Sequence, residues 1–534
     1  MDSHDVFSTE TAGLPAAAPT SVVRLRDGDL LELGIGAVHK RIEGADLRML
    51  AYSGSIPGPT LHVDQGSEIT VQVRNEGDVE TTVHWHGLRL ENRYDGVPHE
   101  TQRPIEIGGS FTYTLQFPDA GLYWYHPHMR EDFAQEMGLY GAIVVEPSDS
   151  SYWPAVDRQF TVTVDDLLVE DGHIASFNRS GPTFTAMGRF GNVMLINGEA
   201  QFSGQAAQGE VVRLYLVNTA NTRIFNVAVR GARAKLVGGD SGRYERETFV
   251  EAVLLSPSER AVLDVLFDTP GDVRLEHRTP DRVYDLGGFT VTAGAGGGAA
   301  ASFETLRTNP DLTAVHQSIR PDLDRPPDKV LAFLSRMPLL YGEDDVLASS
   351  YVCPMHPEVT ATEPSKCPQC GMKLVPSTAA PPEAAAHSAH DHGDGLEWED
   401  LMPEINRASD PSNMIWQLVD RETGAENAAI TWSFTVGDRV KIRLVNEMDS
   451  DHPMHHPFHI HGAGRFLILS RDDVPESNLV WKDTVLVRAG ETVDILLDVS
   501  NPGLWMAHCH IAEHTESGMM FSFNVARRPE AVPS

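Results

Sequence analysis

Ten of the 23 histidines fall into four short clusters, and imidazole is the side chain that most often binds transition metals. The clusters are HWH (84–86), HPH (126–128), HPFHIH (456–461) and HCHIAEH (508–514). Residues two apart in a strand project from one face, about 7 Å apart, so each H-x-H pair could serve neighbouring metal ions. A single pair would be weak evidence. Four pairs supply eight imidazoles, which would converge on a shared site if the first and last parts of the chain pack together.

Cys509 stands between two of these histidines, so in a strand it must point to the opposite face. We expect it to serve a separate mononuclear site with His456, His514 and Met519. Two imidazoles, a thiolate and a thioether form the ligand set of a blue copper electron-transfer centre. The alternative is a buried thiol beside histidines that bond to backbone carbonyls, and it leaves the paired histidines unexplained.

Four segments that contain these residues resemble the copper motifs of the multicopper oxidases, in that family's order. The segments are HWHGLRLENRYDG, YWYHPHMRED, HPFHIHG and HCHIAEHTESGMM. The resemblance implies a type 1 copper held by His456, Cys509, His514 and Met519. It implies a trinuclear cluster between the first and last domains, with a type 2 copper held by His84 and His459. The type 3 copper pair would be held by His86, His126, His128, His461, His508 and His510.

The resemblance also implies an enzyme, a laccase-like oxidase with four copper ions. A reductant would give single electrons to the type 1 copper, and the trinuclear cluster would collect four electrons to reduce O2 to water. Asp95, in the YDG turn, resembles the family's proton-relay carboxylate, although an Asp-Gly pair can also be a simple turn. Many bacterial relatives carry a second relay glutamate where this chain has Thr515. Neither Glu513 nor Glu516 can be assigned to that role from the sequence.

Two other functions would use similar ligands. A copper-sequestering or copper-resistance protein, whose oxidase activity is mainly that of a Cu(I) oxidase, would also need many metal ligands. Sequestration alone gives no reason for placing Cys509 between two histidines of the cluster. A nitrite reductase needs about three imidazoles beyond its blue centre, whereas this sequence offers eight paired ones.

A repeat of strand-like segments indicates the fold. GSEITVQVRN (66–75), GEVVRLYLVN (209–218) and GDRVKIRLVN (437–446) share a turn glycine, alternating apolar residues and a final asparagine. Alternation with a period of two is typical of a strand with one buried face. With the resemblance, this predicts an all-β fold of three cupredoxin-like Greek-key β-sandwich domains. We place a disordered leader at 1–20 and the domains at 21–150, 151–297 and 398–534, the second without copper ligands.

A small insert between the second and third domains carries three of the four cysteines. It spans 351–376, between predicted linkers at 298–350 and 377–397. Its sequence, YVCPMHPEVTATEPSKCPQCGMKLVP, resembles the heavy-metal-binding domain of copper-pumping ATPases and metal-efflux proteins. Cys353, His356, Cys367 and Cys370 would suit Cu(I) or Zn(II), and a purely structural zinc is an equal alternative. The segment MDSDHPMH (448–455) could receive a metal-ion substrate or form only a polar turn.

The formal net charge of −34 argues against a nucleic-acid partner, because binding phosphates requires a basic surface. The acidity favours cationic partners or serves solubility alone. No apolar run approaches the ~18 residues of a membrane span. The expected partners are O2 and a small phenolic, aromatic or metal-ion reductant, with no nucleic acid, no membrane and a monomeric chain. No secretory signal is visible, which predicts a cytoplasmic protein, or a periplasmic or secreted one if a signal has been removed.

Overall fold

The structure, a computed structural model, describes residues 6–294, 296–341, 350–377 and 394–529. Its regular elements are almost all β-strands, arranged as three sandwiches and a small insert, so the predicted all-β class is confirmed. The helices of the described part are short, and none is long and apolar enough to cross a membrane.

The first sandwich packs two sheets, with the strand orders β1-β4-β9-β8-β6 and β3-β2-β5-β7. Its strands are β1 (Val22–Leu25), β2 (Leu30–Ile42), β3 (Ala45–Tyr52), β4 (Thr60–Asp64), β5 (Glu68–Glu76), β6 (Val83–His86), β7 (Ser110–Gln116), β8 (Gly121–Pro127) and β9 (Gly141–Glu146). A 3-10 turn spans Asn92–Tyr94, and helix α1 spans Glu131–Ala134. Burial alternates along β5, as the apolar pattern of its sequence requires.

The second sandwich has the strand orders β13-β10-β15-β20-β17-β18 and β14-β22-β21-β16-β19, with the hairpin β11-β12 beside them. Its strands are β10 (Arg158–Leu167), β11 (Val169–Glu170), β12 (His173–Ile174), β13 (Val193–Ile196), β14 (Phe202–Ala207), β15 (Glu210–Asn218), β16 (Phe225–Arg230), β17 (Arg233–Gly239), β18 (Gly242–Val250), β19 (Ala252–Leu255), β20 (Arg260–Phe267), β21 (Gly271–Arg278) and β22 (Val283–Thr292).

Residues 298–341 require a correction, because the sequence predicted a linker there. They form a 3-10 turn (Gly298–Ser302), α2 (Pro310–Ser318), α3 (Arg320–Asp324), β23 (Lys329–Arg336) and α4 (Pro338–Tyr341). The insert then contributes β24 (Tyr351–Val352), β25 (Thr360–Ala361) and β26 (Val375–Pro376), in the order β25-β24-β26. The chain continues into α5 (Pro403–Ala408).

The third sandwich has the strand orders β27-β23-β29-β34-β31-β32 and β28-β36-β35-β30-β33. Its later elements are β27 (Ile415–Asp420), a 3-10 turn (Asn427–Ala429), β28 (Ser433–Thr435), β29 (Arg439–Asn446), β30 (His456–Ile460), β31 (Gly464–Arg471), β32 (Val474–Pro475), β33 (Thr484–Val487), β34 (Thr492–Val499), β35 (Gly503–Cys509), α6 (Ala512–Glu516) and β36 (Met520–Ala526). Strand β23 pairs with β27 and β29 inside this sandwich, so the third domain starts before the insert. The short apolar run VLAFL drives this pairing because its buried side chains join the third core.

The predicted leader also differs from the structure over residues 6–20, whereas residues 1–5 lie outside the described residues. Phe7 is buried and stacks on Phe133 with ring centroids 3.8 Å apart. Ala16 and Ala18 bridge to His39 and Ser55 of the first domain. The leader is held because one buried aromatic ring and backbone bonds offset the cost of ordering it.

The repeated asparagine has the same structural role in all three domains. Asn218 and Asn446 are the last residues of β15 and β29, Asn75 is the last but one of β5, and all three are buried. Each side-chain amide donates to two carbonyls, one in the loop that follows and one in another segment of its sandwich. Because a buried amide must be satisfied, this bond pattern fixes the loop that leads to the next strand. In the first and third domains that strand carries the first histidines of the site.

Candidate metal centres

Strand pairing explains why the histidines meet. In the first domain β6 pairs with β8 in a register that sets His84 opposite His126. In the third domain β30 pairs with β35 and sets His459 opposite His508. Directly opposed residues project from the same face of a sheet, so each domain presents two adjacent H-x-H pairs. The two faces meet at the boundary between the first and third domains.

Eight imidazoles converge at this boundary, and all are buried. Across the boundary the ring centroids lie 4.0 Å apart for His84 and His461, and 3.8 Å apart for His86 and His459. The corresponding distances are 5.1 Å for His126 and His510, and 5.2 Å for His128 and His508. This group of eight, called the histidine cluster below, contains every member of the four predicted pairs.

Most rings of the histidine cluster are oriented by a hydrogen bond at one nitrogen. Four of them donate through Nδ1 to backbone carbonyl oxygens at 2.7–2.8 Å; the rings are His84, His126, His459 and His508. Nε2 of His84, His126 and His459 and Nδ1 of His86 are buried without a hydrogen-bond partner among the described residues. Buried polar atoms are rarely left unpaired, and metal-binding histidines bond through their second nitrogen in this way. These residues therefore fit a set of metal ions.

Three nitrogen atoms of the histidine cluster lie close enough together to bind one metal ion. Nε2 of His461 lies 3.3 Å from Nε2 of His128 and 3.1 Å from Nε2 of His508. His461 and His508 already donate through Nδ1, to Asp95 and to a carbonyl, so in the neutral rings their Nε2 lone pairs face each other. Two lone pairs that face each other repel, and a cation between these nitrogens would remove the repulsion.

A second cluster surrounds Cys509 on the other face of β35. Its sulfur lies 3.4 Å from Nδ1 of His456 and 3.7 Å from Nδ1 of His514, and the backbone N–H of Ile511 donates to it at 3.5 Å. Met519 is fully buried, and its backbone bonds to both His514 and Cys509. Burial raises the pKa of the Cys509 thiol, so a metal must displace a proton to bind the sulfur.

Asp95 lies between the first and third domains and bonds to a histidine of each. Oδ2 accepts a 2.8 Å hydrogen bond from Nδ1 of His461, and its backbone oxygen accepts one from His84. Thr515 occupies the position of the missing glutamate, and its hydroxyl donates to the carbonyl of Cys509. Thr515 therefore stabilises the backbone at Cys509, and it has no carboxylate that could carry protons.

Glu513 and Glu516 lie in α6 and have different hydrogen-bond partners. Glu513 accepts bonds from Asn221 and Thr222 of the second domain, and burial raises its pKa to about 7 against the opposing charge of Arg189. Glu516 accepts the backbone N–H of Glu131 at 2.9 Å, and burial with neighbouring carboxylates raises its pKa to about 8.

The sequence missed two carboxylates that bond to rings of the histidine cluster and an arginine that pairs with one of them. Glu131 lies 2.9 Å from Nδ1 of His128, three residues earlier in the chain, a spacing that could have revealed it. Asp483 accepts a 3.0 Å bond from Nε2 of His86 and a 2.6 Å bond from Arg260 of the second domain. No motif marks Asp483 or Arg260. Through Arg260 and Asp483 the second domain is therefore connected to His86.

Gly87 explains how this pair approaches His86. It has φ +85°, and a Cβ there would lie 2.5 Å from Oδ2 of Asp483 and 2.9 Å from Arg260. Only glycine adopts this conformation without strain and leaves that space. The glycine of HWHG is thus required by the Asp483–Arg260 ion pair.

The insert brings its four predicted ligands together. The sulfur of Cys353 lies 3.6 Å from that of Cys370 and 3.8 Å from Nδ1 of His356, and the sulfur of Cys367 lies 3.5 Å from the same nitrogen. Burial alone would lower the pKa of His356, but the neighbouring cysteines raise it to about 10. The four ligand atoms lie within 4.8 Å of one another, a spacing that suits one metal ion.

Known proteins resemble this chain over most of its length. Two family models described as multicopper oxidase match residues 37–150 and 402–529, and one described as heavy metal binding domain matches residues 350–377. Copper resistance protein A of Escherichia coli is 24% identical over 92% of each chain. Multicopper oxidase MmcO of Mycobacterium tuberculosis is 25% identical, over 89% of this chain and 83% of its own.

Solved structures share the fold. The multi-copper oxidase of Pseudomonas thermotolerans superposes with a TM-score of 0.64 at 23% identity, over 95% of this chain and 100% of its own. The multicopper oxidase of Campylobacter jejuni, described as a metallo-oxidase, gives a TM-score of 0.64 at 22% identity, over 98% of this chain and 99% of its own.

Proposed function

Because this chain belongs to the multicopper oxidase family, we propose that its two clusters hold the four copper ions of a laccase-like oxidase. The copper ions supply one-electron oxidation of a phenolic, aromatic or metal-ion substrate and four-electron reduction of O2 to water. The observation that carries this assignment is the convergence of eight buried imidazoles whose unpartnered nitrogens meet between two domains.

The mononuclear site is assigned to His456, Cys509, His514 and Met519. Cys509 lies in β35 between His508 and His510, which belong to the histidine cluster, so one covalent segment joins both sites. This short bonded path gives electrons a route from the site where the substrate is oxidised to the site where oxygen is reduced. A sequestering protein would gain nothing from it.

Within the histidine cluster we assign His84 and His459 to the type 2 ion and the other six rings to the type 3 pair. His128, His461 and His508 form one set of three, which their 3.1–3.3 Å nitrogen contacts support. His86, His126 and His510 form the other, with ring centroids 5.1–5.8 Å apart.

Asp95 is assigned two tasks. Its carboxylate holds the Nδ1 proton of His461 and thereby turns Nε2 of that ring into the cluster. It also bonds to a ring of each domain, so as an acidic group beside the cluster it can pass protons toward the oxygen that is reduced.

The chain is proposed to act as a monomer, because one chain supplies every residue of both sites. The insert is proposed to bind a separate Cu(I) or Zn(II) ion through Cys353, His356, Cys367 and Cys370, as their mutual distances allow.

The decisive experiment replaces the bridging sulfur. Copper-loaded Cys509→Ser is expected to lose one copper ion per chain, the intense blue thiolate absorption and oxygen uptake with a phenol, because serine is a poor copper ligand. Metal analysis, absorbance and an oxygen electrode measure these three properties. Oxygen uptake that survives in Cys509→Ser would contradict the assignment. Wild-type protein that binds copper but consumes no oxygen would instead favour sequestration.

A further inference from the structure

The insert is docked firmly on the domain that holds Cys509. Lys366 donates to the carbonyl of Met448 at 2.6 Å and pairs with Asp449 at 2.9 Å. Lys373 pairs with Asp451, and apolar side chains of the insert join the core of the third domain. This combination of ion pairs and shared core fixes the orientation of the insert relative to the third domain.

Gly371, in the CPQCGM motif, allows the closest approach between the two parts. Its φ is +77°, and a Cβ there would lie 2.3 Å from Cε of Met448 and 3.2 Å from Cγ of Pro453. The thioether of Met448 therefore lies directly against the loop that carries Cys367 and Cys370. Although it contacts the insert, Met448 remains 41% exposed.

A cavity of about 170 Å³ separates the insert's metal ligands from the third domain. Met355, His356 and Cys370 line one wall, and Glu397, Met448 and Pro453 line the other. A cavity of this size has room for several water molecules, and hence for a metal ion that moves between the walls. Two of the four ligands of the insert, His356 and Cys370, thus face the third domain across the cavity.

Glu397, on the third-domain side of this cavity, is connected to the site of Cys509 through His455 and His456. The backbone N–H of Glu397 donates to Nδ1 of His455 at 3.1 Å, and His455 is fully buried. The next residue is His456, whose Nδ1 lies 3.4 Å from the sulfur of Cys509. An electron released in the cavity therefore has a continuous path, through one hydrogen bond and the covalent bonds between two adjacent histidines, to the mononuclear site.

We propose that the insert delivers the reducing substrate, with Cu(I) passing from Cys353, His356, Cys367 and Cys370 into the cavity beside Met448. Thiolate and thioether donors select Cu(I), whereas Cu(II) prefers nitrogen and oxygen ligands. Each Cu(I) loses one electron and becomes Cu(II), and the electron enters the site of Cys509. Four such electrons, with four protons, reduce one O2 to two water molecules. The thioethers of Met355 and Met448 bind Cu(II) less well than Cu(I), so they do not retain the product.

This inference rests on the proposed function, and the experiment separates the two. Oxidised, copper-loaded full-length protein receives one equivalent of Cu(I) without oxygen, and stopped-flow absorbance follows the bleaching of the blue band. A phenol is used as donor in parallel. Competition with a Cu(I) chelator measures how many Cu(I) ions each protein retains.

The variants separate loading from transfer. Cys367→Ser/Cys370→Ser is expected to retain one Cu(I) fewer than wild type. Met448→Leu is expected to retain the same number, but the ratio of the bleaching rate with insert-bound Cu(I) to that with phenol should fall by at least about tenfold, because a soft donor is lost from the path. Met194→Leu, in β13 of the second domain, is the matched control and should keep the wild-type ratio.

The contrary outcomes are also distinct. Zinc in the insert that Cu(I) cannot displace, or insert-bound Cu(I) that leaves the blue band intact while phenol bleaches it, would overturn the delivery proposal. An unchanged ratio in Met448→Leu would overturn the route through the cavity. Failure of phenol to bleach the wild-type protein would instead overturn the proposed function.

Discussion

The hydrogen-bond acceptor beside each histidine ring determines which of its two nitrogens is free to bind metal. In His84 and His459 a backbone carbonyl takes the Nδ1 proton and leaves Nε2 available. In His86 the arrangement is reversed, because Nε2 donates to Asp483 and Nδ1 remains unpartnered. Asp483 is itself held by Arg260, so a residue of the second domain sets the orientation of a ring in the first.

We expect Asp483→Asn to weaken copper binding at the histidine cluster by roughly tenfold to a hundredfold. The neutral amide would no longer neutralise the buried Arg260, and it would hold His86 less firmly. Copper content after dialysis against a chelator, together with oxygen uptake, measures the effect. Asp498→Asn, at an exposed position of β34, is the matched control. Equal copper retention in both variants would show that Asp483 does not position His86.

The convergence of the candidate ligands could be predicted because their spacing places them on one face of a strand. The H-x-H pairs and the thiol of HCH carry their geometry in a few adjacent residues, and the structure brings all of them into two clusters. Asp483 and Arg260 could not be predicted. They are more than two hundred residues apart and meet only because three domains pack around one point.

Among the strands, the three repeats were predictable and β23 was not. The repeats alternate apolar residues over nine positions and end on an asparagine that the fold uses three times. Strand β23 has a shorter apolar run without that ending, and its partners lie beyond the insert. The local sequence pattern therefore identified the central strands. It could not assign β23, because the insert separates this strand from the rest of its domain in the sequence.

Strand β21 of the second domain carries a histidine that should make this domain sensitive to acid. Nδ1 of His277 accepts the backbone N–H of Asn226 at 3.1 Å, and the ring is fully buried. Burial, helped by the charge of Arg223, lowers its pKa to about 3. Below pH 6.5 the unfolded chain takes up a proton that the folded chain refuses, so stability falls as the pH drops.

From pH 6.5 to 4.5 this histidine should reduce the free energy of unfolding by about 2 kcal/mol. His277→Gln, which keeps an acceptor for Asn226, should therefore lose about 2 kcal/mol less than wild type over that interval, as measured by urea titration. His173→Gln, at an exposed position of β12, should behave like wild type. An identical loss in His277→Gln would mean that His277 is not the group responsible.

The whole molecule carries a strong negative charge of −34, which acts on any charged substrate that approaches it. Surface potentials of this kind raise the encounter rate of cationic partners and are screened by salt. We expect kcat/KM for a phenol bearing a quaternary ammonium group to fall several-fold between about 10 and 200 mM salt. The same phenol without the ammonium group should change little. An equal response from both donors would assign the acidity to solubility alone.

Strand β23 also affects the order in which the protein can be completed on the ribosome. It is made about 100 residues before β29, its parallel neighbour, so at ~5–20 residues per second it waits roughly 5–20 s without that partner. The last histidines follow later still, at 508–514. Metal loading at the shared boundary must therefore wait until residue 510 has been made. Before that point the nascent chain exposes an unpaired strand, which favours aggregation, and it lacks part of the histidine cluster.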